Sequence, residues 1–236
     1  MADRSSGGGR LAGATVAFDL DGTLVDTAPD IVAALNFALE AQGCAPLPFQ
    51  EGRLLIGGGV RRLIERGFQA AGLPATPQRL AGAFDAFIAR YQAHLADDSH
   101  LYPGVVEALG VLKAEGLRLC VCTNKHADLA IALLERLDLA RFFGAVVGPQ
   151  GLPAQKPDPR HLEAAIRAVG GELPRAVMVG DAATDAGAAR AAGVPLILMS
   201  YGYTETPAAE LGPDILLDRF QDVPDAVLRL LAACSP

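Results

Sequence analysis

Five short apolar runs recur along the chain, at residues 15–19, 117–123, 145–148, 176–180 and 195–200, with a weaker sixth at 215–217, and each gives way to glycine or a polar side chain. Between them lie stretches with helical periodicity, near 105–115, 127–137, 159–169, 184–192 and 223–232. Strands that are apolar on both faces and alternate with helices predict a parallel sheet covered on both sides. The fold class expected is therefore α/β, a doubly wound parallel sheet with a Rossmann-like core.

The alternation stops between residues 29 and 98, where amphipathic helical stretches near 30–42, 60–71 and 77–95 are separated by Pro- and Gly-bearing loops. A single crossover needs only about a dozen residues, so this interval predicts an inserted α-helical cap domain. The expected organisation is a flexible tail at 1–13, a core built from 14–28 and 99–236, and a helical cap at 29–98, in keeping with the one to two domains that 236 residues suggest. Twenty basic against 27 acidic side chains, with no basic block, exclude the electrostatic footprint of a nucleic-acid binder. No apolar run reaches the roughly 18 residues of a membrane span, and Ser5, Ser6 and Gly7 to Gly9 stand where a signal peptide would be apolar. A cytoplasmic protein is expected. Cys44, Cys120, Cys122 and Cys234 show neither zinc-site spacing nor the density of a disulfide scaffold, and read as buried thiols.

In open α/β sheets, ligands bind beyond the carboxyl ends of the strands. There the first run passes into Asp19-Leu20-Asp21-Gly22-Thr23, the second ends in Thr123-Asn124-Lys125, and the fourth ends in Gly180-Asp181-Ala182-Ala183-Thr184-Asp185. A loop, Lys156-Pro157-Asp158-Pro159, comes before that last motif. Each piece alone also fits a turn or a helix cap. Together they place Asp19, Asp21, Asp181 and Asp185 at one sheet edge, where their mutual repulsion calls for a hard divalent cation with oxygen ligands. Mg²⁺, keeping some of its waters, suits such a site. With Lys156 as a second positive group, the set matches what a phosphoryl group needs during transfer.

The stretch from Phe18 to Thr27, with Thr123, Lys156 and Gly180-Asp181 downstream, resembles the haloacid dehalogenase superfamily of phosphohydrolases. It is most similar to the phosphoglycolate phosphatase-like branch, which carries a helical cap, and the resemblance runs from about residue 15 to 231. The resemblance implies catalytic roles for Asp19, Asp21, Thr123 and Lys156. Asp19 is the implied nucleophile, forming an aspartyl phosphate, and Asp21 the acid and then base. Thr123, Asn124 and Lys156 are implied to bind the substrate phosphoryl group. Asp19, Asp181 and the backbone carbonyl of Asp21 are implied Mg²⁺ ligands, with Asp185 orienting the ion's waters or Lys156. Ala182, Thr184 and His126 depart from the branch's usual Ser, Asn and Pro.

The implied activity is Mg²⁺-dependent hydrolysis of a small phosphomonoester, with 2-phosphoglycolate leading. Sugar-phosphate or pyrophosphate hydrolysis, phosphomutase activity and a non-catalytic phosphoacceptor switch are the alternatives. The partner implied is a small phosphorylated metabolite, with the protein a monomer or homodimer. In the cap, Gly57-Gly58-Gly59 precedes a helix opening with Val60-Arg61-Arg62. This run serves either as a turn or, through the amides at Gly58 and the Arg61 side chain, as an anion site for the substrate's far end. His94, His100 and His161 have no metal spacing and read as surface or capping residues.

Overall fold

The computed structural model describes residues 12–233; most of the expected tail, and Cys234, lie outside them. Six parallel strands form one sheet in the order β5-β4-β1-β6-β7-β8. They are β1 (Thr15–Phe18), β4 (Arg118–Cys122), β5 (Ala145–Val147), β6 (Ala176–Gly180), β7 (Leu196–Met199) and β8 (Ile215–Leu217). β1 is central: Phe18 lies in register with Val121 of β4 on one side and Val179 of β6 on the other. Side chains alternate between faces along a strand. Accordingly Val16 and Phe18 join one hydrophobic cluster, while Ala17, Cys120 and Cys122 join a second on the opposite face. The three described cysteines are free and buried.

The interval after β1 is helical, but its stem is not. β2 (Val25–Asp26) leaves the core and β3 (His100–Leu101) returns antiparallel to it. Between them lie α1 (Ala28–Glu40), α2 (Phe49–Leu54), α3 (Val60–Ala70) and α4 (Pro77–Ala93). The two ends of this insert are tied by the buried carboxylate of Asp30, which accepts the backbone N–H of Asp98 at 3.0 Å and of Ser99 at 2.9 Å and the Ser99 hydroxyl at 2.5 Å. Two-residue strands carry no readable periodicity, so the ribbon and the one-and-a-half-turn α2 escape the sequence pattern.

The remaining helices are α5 (Val105–Ala114), α6 (Ala127–Arg136), α7 (Pro159–Ala168), α8 (Ala183–Ala192) and α9 (Val223–Ala233). α7 and α8 supply the second cluster, and α5, α6 and α9 the first together with the insert. None of the described helices is long and apolar enough to cross a membrane. The carboxyl ends of β1, β4 and β6 therefore open side by side beneath the insert.

Candidate active site

Asp19 follows β1 directly, its backbone N–H donating to Val179 of β6 at 2.9 Å. Two residues on, Asp21 reaches the same rim. The two carboxylates are held by different lysines: the Lys156 ammonium donates to Asp19 at 2.8 Å, and the Lys125 ammonium to Asp21 at 2.7 Å. The Thr27 hydroxyl also donates to Asp21, at 2.7 Å. Thr27 is the residue at the N-terminus of α1, where a hydroxyl ordinarily accepts a helix N–H. Here it makes no such bond and is turned to the site instead.

Asp181, at the end of β6, is buried and accepts the Thr23 hydroxyl at 2.6 Å and the Tyr203 N–H at 2.8 Å. Asp185, in the first turn of α8, is also buried. One of its oxygens takes the Lys156 ammonium at 2.7 Å, and the other takes the N–H groups of Asp181 at 3.1 Å and Ala182 at 3.0 Å. Ala182 has no hydroxyl to cap α8, and Asp185 satisfies a free N–H from the other direction. Close backbone approach is what the local glycines permit: a Cβ on Gly202 would lie 2.2 Å from the Asp181 side chain, and one on Gly22, at φ +89°, 2.6 Å away.

Lys156 is held in a hydrogen-bonded frame. Its N–H donates to His161 Nδ1 at 3.1 Å, its carbonyl accepts from the Asn124 side chain at 3.0 Å, and the other nitrogen of His161 lies 3.1 Å from the Val147 carbonyl. His161 is thus a buried prop of the lysine loop, correcting the expectation of a surface or capping residue. Burial pushes its imidazole down to about 4, helped by the Lys156 charge. Thr123 ends β4 with its hydroxyl accepting the Lys125 N–H at 3.1 Å.

Asp19, Asp181 and Asp185 offer carboxylate oxygens that all lie within 4.8 Å of one another. With Asp21 paired to Lys125, these three negative charges face the single positive charge of Lys156, an excess of two. Burial pushes Asp19 up to about 7, against the pull of Lys156, and raises Asp181 well above the ordinary carboxylate range, with Asp185 and Asp19 adding to the effect. An oxygen-lined cluster short of two positive charges fits a hard divalent cation.

Above this floor lies a cavity of about 70 Å³ with Asp19, Asp21, Thr123, Asn124, Lys156 and Asp181 on its core side. Ile56, Leu63, Phe87 and Tyr91 of the insert form its apolar side, together with the backbone of Gly57 to Gly59. Gly58 thus borders the cavity. Arg61 does not: its guanidinium is largely exposed and pairs with Glu65 one helical turn away at 3.3 Å. Lys125, Thr23, Thr27, Tyr91 and Tyr203 join the site without having been singled out in the sequence. Lys125, Thr23 and Thr27 stand inside the quoted motifs, which was the available signal.

The family model of haloacid dehalogenase-like hydrolases matches residues 16–199. A phosphoglycolate phosphatase of Caulobacter vibrioides is 53% identical over 224 residues, 95% of this chain and 94% of its own. The solved structure of a predicted phosphoglycolate phosphatase from Haemophilus somnus superposes with a TM-score of 0.84 at 30% identity, covering 91% of this chain and 97% of that one. CbbY from Rhodobacter sphaeroides, solved in complex with phosphate, gives a TM-score of 0.78 at 27% identity, over 92% and 99% of the two chains. Fold, polar rim and relatives together define a phosphomonoester hydrolase. The chain belongs to the haloacid dehalogenase-like hydrolase family.

Proposed function

We propose that the protein hydrolyses a small phosphomonoester through an aspartyl phosphate on Asp19, with 2-phosphoglycolate the leading substrate. The observation that carries the mechanism is the separate clamping of Asp19 and Asp21: two carboxylates two residues apart, each on its own lysine, are prepared for different tasks. An Asp19 oxygen attacks phosphorus in line, the bond from phosphorus to the leaving oxygen breaks, and Asp21 gives that oxygen a proton. Water then attacks phosphorus while Asp21 takes its proton. The acyl phosphate opens, phosphate leaves and the Asp19 carboxylate is restored.

Thr123 and Asn124 border the place where the phosphoryl oxygens would sit, and Lys156 offsets their charge. Mg²⁺ would be held by Asp19, Asp181 and the Asp21 carbonyl, and when bound it would supply positive charge to the transferring group. Asp185, with both oxygens already engaged by protein donors, holds Lys156 in place. The insert, near residues 29–98, acts as a cap over the core. The substrate assignment is supported by the small cavity and by the name of the Caulobacter relative.

The test is phosphate release from a panel of 2-phosphoglycolate, sugar phosphates and pyrophosphate, with and without Mg²⁺. The expected result is the highest kcat/KM on 2-phosphoglycolate, strict dependence on Mg²⁺, and loss of turnover in Asp19→Asn. Interconversion of hexose phosphates without phosphate release, or a wild-type aspartyl phosphate that persists for minutes, would overturn it.

A further inference from the structure

Lys125 is fixed from two directions by groups far apart in the chain. On one side its ammonium meets a single Asp21 oxygen, Oδ1, at 2.7 Å. On the other it lies 4.6 Å from the ring centroid of Tyr91, which α4 carries over from the insert. Tyr91 is itself held, stacked on Phe87 one turn earlier in α4 with centroids 5.7 Å apart and planes 16° from parallel. Its buried hydroxyl has no other partner among the described residues, and the Lys125 ammonium lies near both the ring and that hydroxyl.

Asp21 is pinned asymmetrically. Both of its described side-chain hydrogen bonds, from Lys125 and from Thr27, end on Oδ1. No described side-chain hydrogen bond ends on Oδ2, and Asp21 borders the cavity. A carboxyl group held by one oxygen presents the other in a fixed direction, which is the geometric requirement of proton transfer. A lysine side chain is flexible along its four-carbon stem, so an ammonium held by one carboxylate oxygen alone keeps rotamer freedom. The Tyr91 face closes off that freedom by cation–π attraction in a dry setting.

We infer that Tyr91 is a positioning residue for proton transfer: its ring holds the Lys125 ammonium against Asp21 Oδ1, so that Oδ2 is aimed at the leaving oxygen. The inference rests on the reading of Asp21 as acid and base. Because the ring belongs to the insert and Lys125 to the core, Asp21 is fully oriented only while the insert is seated. The acid–base group is thereby assembled by the same contact that closes the cavity.

The leaving group provides the discriminating measurement. An alkyl phosphate needs a proton on its departing oxygen far more than p-nitrophenyl phosphate does, so damage to Asp21 orientation falls selectively on the alkyl ester, whereas general damage falls on both. Tyr91→Leu is expected to lower kcat on an alkyl phosphate about tenfold and on p-nitrophenyl phosphate less than about threefold, with KM moved less than kcat. Tyr91→Phe, which keeps the ring and drops the hydroxyl, should restore kcat on both esters to within about twofold if the ring contact is what holds the ammonium. In a Lys125→Met background, Tyr91→Leu should cost nothing further, because the cycle removes the contact it acts through. Equal losses on the two esters, Phe as damaging as Leu, or additive effects of the two substitutions would each overturn the inference. Asp21→Asn, assayed alongside, separates this from the underlying reading: if it spares alkyl phosphate hydrolysis, the acid–base assignment itself fails.

Discussion

A single missing hydrogen-bond acceptor or a single added methyl is felt at this rim, because every carboxylate on it is oriented by a named neighbour. Asp181 is the clearest case: Thr23 and the Tyr203 N–H hold its oxygens while Gly202 leaves its methylene barely enough room. Gly202→Ala would put a Cβ 2.2 Å from that side chain, a separation no native structure tolerates, and would push Asp181 out of line. Loss of a group that orients a ligand costs roughly 10–100-fold in metal affinity. The expected outcome is a rise of that size in the Mg²⁺ concentration giving half-maximal activity, with little change at saturating Mg²⁺; an unchanged Mg²⁺ titration would contradict the role given to Asp181. The acidic residues and Lys156 were legible in the sequence because motif spacing and strand-end position both marked them. Their orienting partners were not, since Lys125 and Asp21 lie 104 residues apart and Tyr203 and Asp181 meet through a loop. Arg61 shows the converse: a helix start makes an arginine available to the site, but the geometry of its own helix offers Glu65 as a nearer partner.

At the scale of elements, the strand and helix alternation was readable because buried parallel strands tolerate no polar face, and the sheet follows it strand by strand. What the pattern leaves out are pieces whose form is set by contacts instead of periodicity, the β2–β3 ribbon and the segment from β5 to α7. That second segment carries Lys156, and its shape depends on His161, which spans from the Lys156 N–H to the Val147 carbonyl at the end of β5. The span needs a neutral imidazole with one accepting nitrogen. His161 sits at about 4 in the folded protein, against an ordinary value near 6.5. Between those values the unfolded chain binds a proton that the native state refuses, so this contribution is complete above about pH 6.5 and is lost as pH falls toward 4. The loss should reach on the order of 1–2 kcal/mol by pH 5, a few degrees in Tm for a protein of this size. His161→Asn can accept the same N–H without titrating. The Tm advantage of wild type over this variant should shrink from pH 7 to pH 5, and an advantage independent of pH would show that the imidazole is not held neutral.

The molecule as a whole places a reaction that must exclude water beneath an insert joined to the core by a two-strand stem. The closed arrangement is fastened at several points away from the chemistry. Arg53 of α2 donates to the carbonyls of Tyr201 at 2.9 Å and Gly202 at 3.3 Å and lies over the Tyr203 ring; Gln155 donates to Gly58 at 3.0 Å; Arg66 of α3 pairs with Glu205. The first of these fasteners grips the loop whose Tyr203 N–H orients Asp181, so the seat of the insert and the carboxylate cluster share one loop. Such contacts are polar and partly exposed, each worth little alone, and they suit a joint that opens and recloses. Because the cavity's walls come from both parts, release of the product is expected to go with their separation. Cysteines at positions 66 and 205, joined by a reductant-cleavable thiol crosslinker in a Cys234→Ser background, would hold the parts together. Cys44, Cys120 and Cys122 are buried, and burial pushes the Cys122 thiol up to about 12, so they would stay out of the reaction. Multiple-turnover kcat/KM is expected to fall by at least about tenfold on crosslinking and to return on reduction. Full activity in the crosslinked protein would mean that substrate and product pass without separation of the insert from the core, and that the polar fasteners are structural contacts with no part in the catalytic cycle.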